Sequence, residues 1–133
     1  MKDIRLVPAG LYAYGAEQLA QGLWMLVSPG TFFTALGPFG ARNDHYTRDV
    51  ATWSLALGVV CLLVARRPSP ARAAVLLLAG LQAALHTVNH VFDADLAHPG
   101  WVGVFDAVSL GLLAASLLGL WRLSTTPPPE VAS

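Results

Sequence analysis

The chain has 133 residues, 55% hydrophobic and 12% charged, with no formal net charge and a mean hydropathy of +0.55. Soluble domains carry about 25% charged residues, so this composition excludes an ordinary water-soluble domain. The lack of a basic patch excludes nucleic-acid binding, and the lone Cys61, inside an apolar run, excludes an intramolecular disulfide.

The start, Met1 to Arg5, has the basic character of a signal peptide. However, Glu17, Gln18 and Gln21 interrupt the apolar run that follows and no small-residue cleavage site is evident, so the segment is read as a retained helix. The first apolar segment runs from about Leu6 to Val27 and stops at Ser28-Pro29-Gly30. The connection from Ser28 to Arg42 contains Phe32, Phe33 and Phe39 among several glycines, and is expected to form a re-entrant or interfacial cap. Asn43 is placed to cap the next helix, with Asp44 favourable in its first turn.

The second segment spans about Tyr46 to Val64, and the break Arg66-Arg67-Pro68-Ser69-Pro70 leads into a third, about Ala71 to Phe92. His98-Pro99-Gly100 precedes the fourth, about Trp101 to Trp121, and the tail from Ser124 to Ser133 is expected to be disordered. Each segment is close to the ~20 residues that cross ~30 Å of hydrocarbon. The fold expected is all-α, an integral membrane four-helix bundle of up-down-up-down topology.

Charge sets its direction. Lys2, Arg5, Arg66, Arg67, Arg72 and Arg122 fall at one end, against Arg42 and Arg48 at the other. That asymmetry predicts a multi-pass cell-membrane protein with both termini cytoplasmic and the polar connections outside. Trp24 and Trp101 near the outer boundary and Trp121 near the inner one suit interfacial anchors.

The polar residues of the segments concentrate toward the outer end. Counted at ~1.5 Å per residue, Glu17 lies about 18 Å beyond Arg5, and His86 about 21 Å beyond Arg72. By the same count Asp49 lies about 22 Å from Val64, and Asp106 about 24 Å from Arg122. The spacing therefore predicts one layer of Glu17, Asp49, His86 and Asp106, with His45 and His90 a turn further out. Within each helix the spacing also aligns faces: Tyr14, Glu17, Gln18 and Gln21; His45 and Asp49; His86, Asn89, His90 and Asp93; Asp106 and Ser109. Asp93, Asp95 and His98 are read as residues of a solvated loop.

Three readings of this layer stay open. Imidazole and carboxylate ligands suit Fe, Cu, Zn or Mn, or a haem held by two histidines. In that reading His45, Asp49, His86 and His90 are ligands, Glu17 and Asp106 further ligands or proton carriers, and Arg48 a supporting or substrate-anion contact. The protein would then be a metal- or haem-dependent oxidoreductase acting on a hydrophobic small molecule. Alternatively the His and Asp residues perform acid–base chemistry without a metal, or carry protons or solutes across the membrane. In the third reading they cross-link helices in a non-enzymatic membrane subunit that contacts lipid and a partner or second copy.

The stretch Asn43-Asp44-His45-Tyr46-Thr47-Arg48-Asp49, preceded by Gly37-Pro38-Phe39-Gly40 and followed by His86-Thr87-Val88-Asn89-His90, resembles a group of small bacterial four-span membrane proteins. Their pattern is Asn-x-His-x-x-Arg-Asp in the second helix and His-x-x-x-His in the third. The resemblance, from Tyr12 to about Trp121, implies the four-span fold and marks Asn43, His45, Arg48, Asp49, His86 and His90, but it implies no activity. DoxX-like proteins are similar in architecture alone.

Overall fold

The computed structural model describes residues 3–125, and within them the chain is helical. Lys2, counted above among the inner charges, and residues 126–133 of the expected tail lie outside the described residues. The helices are α1 (Asp3–Val27), α2 (Pro29–Leu36), α3 (Asp44–Ala65), α4 (Ala71–Phe92) and α5 (Gly100–Thr125), with one 3-10 turn at Ala94–Leu96. The four apolar segments correspond to α1, α3, α4 and α5.

Two boundaries differ from expectation. The first connection is not irregular throughout, because Pro29 occupies the first turn of the short α2, where its missing N–H costs nothing. Helix α5 runs on to Thr125, so Ser124 and Thr125 belong to the helix and not to the tail. Their hydroxyls donate to carbonyls of the preceding turn, Ser124 to Trp121 at 2.6 Å and Thr125 to Arg122 at 3.0 Å.

Helices α3, α4 and α5 are each long and apolar enough to cross a membrane. At 25 residues α1 is long enough, but with Glu17, Gln18 and Gln21 along it, it does not reach the same apolarity.

Packing divides the bundle into two tight pairs, α1 with α3 and α4 with α5, which touch each other more lightly. Small residues let the backbones approach. A side chain at Gly15 would meet Cys61 and Gly58, and one at Gly22 would meet Leu55, so α1 and α3 are antiparallel. Gly80 packs on Leu118 and Gly111 on Thr87, so α4 and α5 are antiparallel as well.

The pairs meet in a core of Val7, Leu11, Tyr14, Leu57, Cys61, Ala65, Leu76, Ala79, Ala83, Ala114 and Leu117. All but Ala83, just past the middle of α4, lie in the half of the bundle nearer the described chain ends and the Arg66–Pro70 connection. We refer to this as the basic end. Arg72 staples that connection, donating to the carbonyls of Val64 at 2.9 Å and Ala65 at 2.5 Å at the close of α3.

At the opposite, polar end the two connections clasp one another. Phe39 and Ala97 form an isolated antiparallel bridge, and the His98 N–H donates to the Pro38 carbonyl at 3.3 Å. Gly40, at φ +65°, supplies the left-handed residue that turns the chain after Phe39. Arg42 then pairs with Asp44 at 2.5 Å, and this hydrogen-bonded carboxylate raises the guanidinium pKa above its ordinary value. As the spacing predicts, Asn43 caps α3, its side chain accepting from the Tyr46 N–H at 3.0 Å.

Candidate functional site: a histidine–histidine–aspartate chain

Above the core, the two helix pairs leave a pocket of about 280 Å³ lined by Phe39, Tyr46, His86, Asn89, His90 and Asp93. Its wall comes from α4, where positions 86 and 90 continue the buried stripe of Leu76, Ala79 and Ala83 at helical spacing. Tyr46, in the first turn of α3, and Phe39 complete the lining, the Phe39 ring lying perpendicular to that of His90 at 4.7 Å between centroids.

The two histidines meet through their Nε2 atoms at 3.0 Å. The other nitrogen of His90 faces away from the pocket. Its Nδ1 lies 3.8 Å from Oδ2 of Asp106 on α5, where both side chains are largely buried. Among the described residues neither atom has another hydrogen-bond partner, although both are shut off from solvent. At 3.8 Å the two are just outside hydrogen-bond range, and a shift of under about 1 Å would satisfy both. The geometry is thus a chain, Asp106···His90···His86, running from the buried interior to the pocket.

Local sequence places Asp106. Gly103, one turn earlier in α5, lies directly against the backbone of Ala94, so any side chain there would collide with that carbonyl. This close approach seats the start of α5 under the 94–96 turn and brings Asp106 beside His90. Ser109 plays no part in the chain, since its hydroxyl donates to the Asp106 backbone carbonyl at 3.2 Å.

The remaining expected site residues lie elsewhere. His45 and Asp49 approach one another at 3.4 Å, but their side chains are 87% and 64% exposed and neither lines the pocket. Arg48 is exposed beside them and pairs with none of Asp49, Asp106 or Glu17. Glu17 is half-buried on α1, where its carboxylate accepts from Gln18 at 2.9 Å and from Gln21.

The predicted single layer therefore resolves into three local groups. Among the described residues, no three His, Cys, Asp or Glu side chains converge on a point that could hold a metal ion. Among the described residues, then, His45 and Asp49 do not join His86 and His90 around one point that could hold a metal ion. The cause is rotation of α3: its inward face is fixed by packing on the small residues of α1, which turns Tyr46 toward the pocket and His45 away.

Three lining residues were not expected in the site. Asp93, assigned above to a solvated loop with Asp95 and His98, caps the end of α4 and lines the pocket. Its place at i+3 from His90 was the available signal. Phe39 gave one through the Gly-Pro-Phe-Gly turn, whereas Tyr46 had none beyond adjacency to His45.

No protein-family model, curated protein or solved structure matches the chain.

Proposed function

We propose that the protein is an integral membrane protein, crossing four times with both termini cytoplasmic, whose outward-facing pocket carries out acid–base chemistry through the Asp106–His90–His86 chain. Three apolar helices, the clustering of arginines at the basic end and the packing of α1 against α3 support the membrane part of this reading. The observation that carries the chemistry is the pair of buried, unpartnered atoms, His90 Nδ1 and Asp106 Oδ2, facing each other behind the His86–His90 contact.

A neutral imidazole has one donor and one acceptor nitrogen. With its proton on Nδ1, directed at Asp106, His90 accepts at Nε2, so His86 donates from its own Nε2. The lone pair left on His86 Nδ1 is the base of the chain. The buried carboxylate then stabilises positive charge arriving on the imidazole pair, as an orienting carboxylate does behind a catalytic histidine. The exposed His45–Asp49 pair has no such buried partner and takes no role here.

The second reading, a small proton or solute transporter, needs a path through the basic half. The core of Leu11, Leu57, Leu76 and Leu117 fills that half, which favours one-sided chemistry.

Nitrogen-15 NMR of labelled histidines in the full chain, reconstituted in lipid nanodiscs, tests the proposal. His90 is expected in the Nδ1–H form, and Asp106→Asn is expected to redistribute its tautomers and alter the titration of His86. A His90 signal indifferent to Asp106→Asn, with independent titration of the two histidines, would overturn the chain. Proton flux into liposomes that depends on His86 would favour transport.

A further inference from the structure

The pocket's inventory of donors, acceptors and charge selects its ligand. Neither Lys nor Arg lines it, while Asp93 brings a carboxylate that enters no ion pair or side-chain hydrogen bond among the described residues. While the two histidines are neutral, an anionic ligand would meet that charge with no lining cation to offset it. Acceptors outnumber donors: the Asp93 oxygens, the Asn89 amide oxygen and, in the proton arrangement proposed above, the free nitrogen of His86, against the Asn89 amide N–H groups and the Tyr46 hydroxyl. A ligand that satisfies them must bring several N–H or O–H donors. Two aromatic rings, Phe39 and Tyr46, line the pocket, and aromatic faces attract cations. The exposed apolar side chains of Leu85 and Phe92 on α4 flank the site, so an apolar group can leave it toward lipid.

We propose that the pocket is a binding site for a small organic ammonium ion, a protonated amine on an apolar group, with Asp93 as counter-ion and Phe39 and Tyr46 as walls. This rests on the acid–base reading and names the substrate class of the same site. A primary ammonium offers three donors on one positively charged nitrogen, which matches three acceptors around one carboxylate. At about 280 Å³ the pocket is at the small end of ligand sites, suited to an amine head with one ring or a short chain.

The test uses the full chain in nanodiscs and three probes with the same tail: 2-phenylethylammonium, 3-phenylpropanol and 3-phenylpropionate. Calorimetric titration, corrected for uptake by empty nanodiscs, is expected to show saturable binding of the ammonium at least about tenfold tighter than either of the others. Asp93→Asn should weaken ammonium binding by about tenfold or more, and Phe39→Leu by about threefold. Asp93 sits at an exposed helix end, where its backbone N–H supplies the cap, so the Asn variant keeps the fold.

Equal binding of the three probes, or no effect of Asp93→Asn, would overturn the proposal. If binding fails while His90 still responds to Asp106→Asn, the ligand class is wrong and the proton chain stands. If the ammonium binds as expected and His90 ignores Asp106, the pocket is a binding site and the acid–base reading fails.

Discussion

The chain contains two polar pairs with the same i,i+4 spacing at the same end of the bundle, His45/Asp49 on α3 and His86/His90 on α4. Their surroundings are opposite. The first pair stands in the open, 3.4 Å apart with most of both side chains exposed. The second forms one wall of a pocket and connects at 3.0 Å and then 3.8 Å to a buried aspartate. Spacing puts two residues on one side of a helix, but which side faces inward is settled by neighbouring helices. A helix turns about 100° per residue, so the pocket can take Tyr46 and leave His45 outside.

The sharpest way to break this comparison is to truncate one histidine from each pair. His90→Ala leaves Asp106 buried with its nearest polar partner gone, which should cost about 3 kcal/mol of stability. His45→Ala removes an exposed side chain and should change stability by less than about 0.5 kcal/mol. Reversible unfolding in mixed micelles measures both, and equal costs would show that the two environments do not differ as described.

A second variant probes what seats Asp106. Gly103→Ala places a methyl group against the Ala94 backbone carbonyl, which cannot rotate out of the way as a side chain could. A cost of about 2 kcal/mol is expected, together with a weakened response of His90 to Asp106→Asn. Gly119→Ala, on the same helix with open space around it, should be neutral or stabilising by up to about 1 kcal/mol. Similar losses for both would mean that the Gly103–Ala94 approach does not position the site.

How far the sequence revealed this arrangement depends on what determines each feature. The helices were legible because apolar length and Pro/Gly breaks are local properties: Ser28-Pro29-Gly30, the Arg66–Pro70 run and His98-Pro99-Gly100 end or begin helices as read. The pairing of His86 with His90 was legible because helical spacing alone brings them together. Counting rise put Asp106 level with His86 and one turn short of His90, yet it is His90 that it approaches, at 3.8 Å. Depth counting said nothing about rotation, so it grouped His45 and Asp49 with a site they do not face. It also brought Glu17 into a shared layer, whereas its carboxylate is occupied by Gln18 and Gln21 of its own helix. Phe39 reaches His90 through a clasp between two distant connections, which no local pattern encodes.

That clasp gives a smaller prediction. Phe39→Ala removes the edge-on ring contact with His90 and should cost about 1 kcal/mol, by the same unfolding measurement. It should also let water reach the Nε2 pair, seen as faster solvent exchange of the shared imidazole proton. No change in exchange would mean that Phe39 does not cover the chain.

The smallest effect belongs to the exposed pair, and it sets the baseline for the rest. A double-mutant cycle of His45→Ala and Asp49→Ala should give a coupling of no more than about 0.5 kcal/mol, reduced further by salt. Water solvates both groups and the chain gains little by holding two side chains in one geometry. The same cycle on His90 and Asp106 should give several times that value with little salt dependence, because both groups are shielded from water. A coupling above about 1 kcal/mol at His45/Asp49 would mean that this end of α3 is covered in the membrane by lipid headgroups or another chain, and the pair would then rejoin the list of candidate site residues.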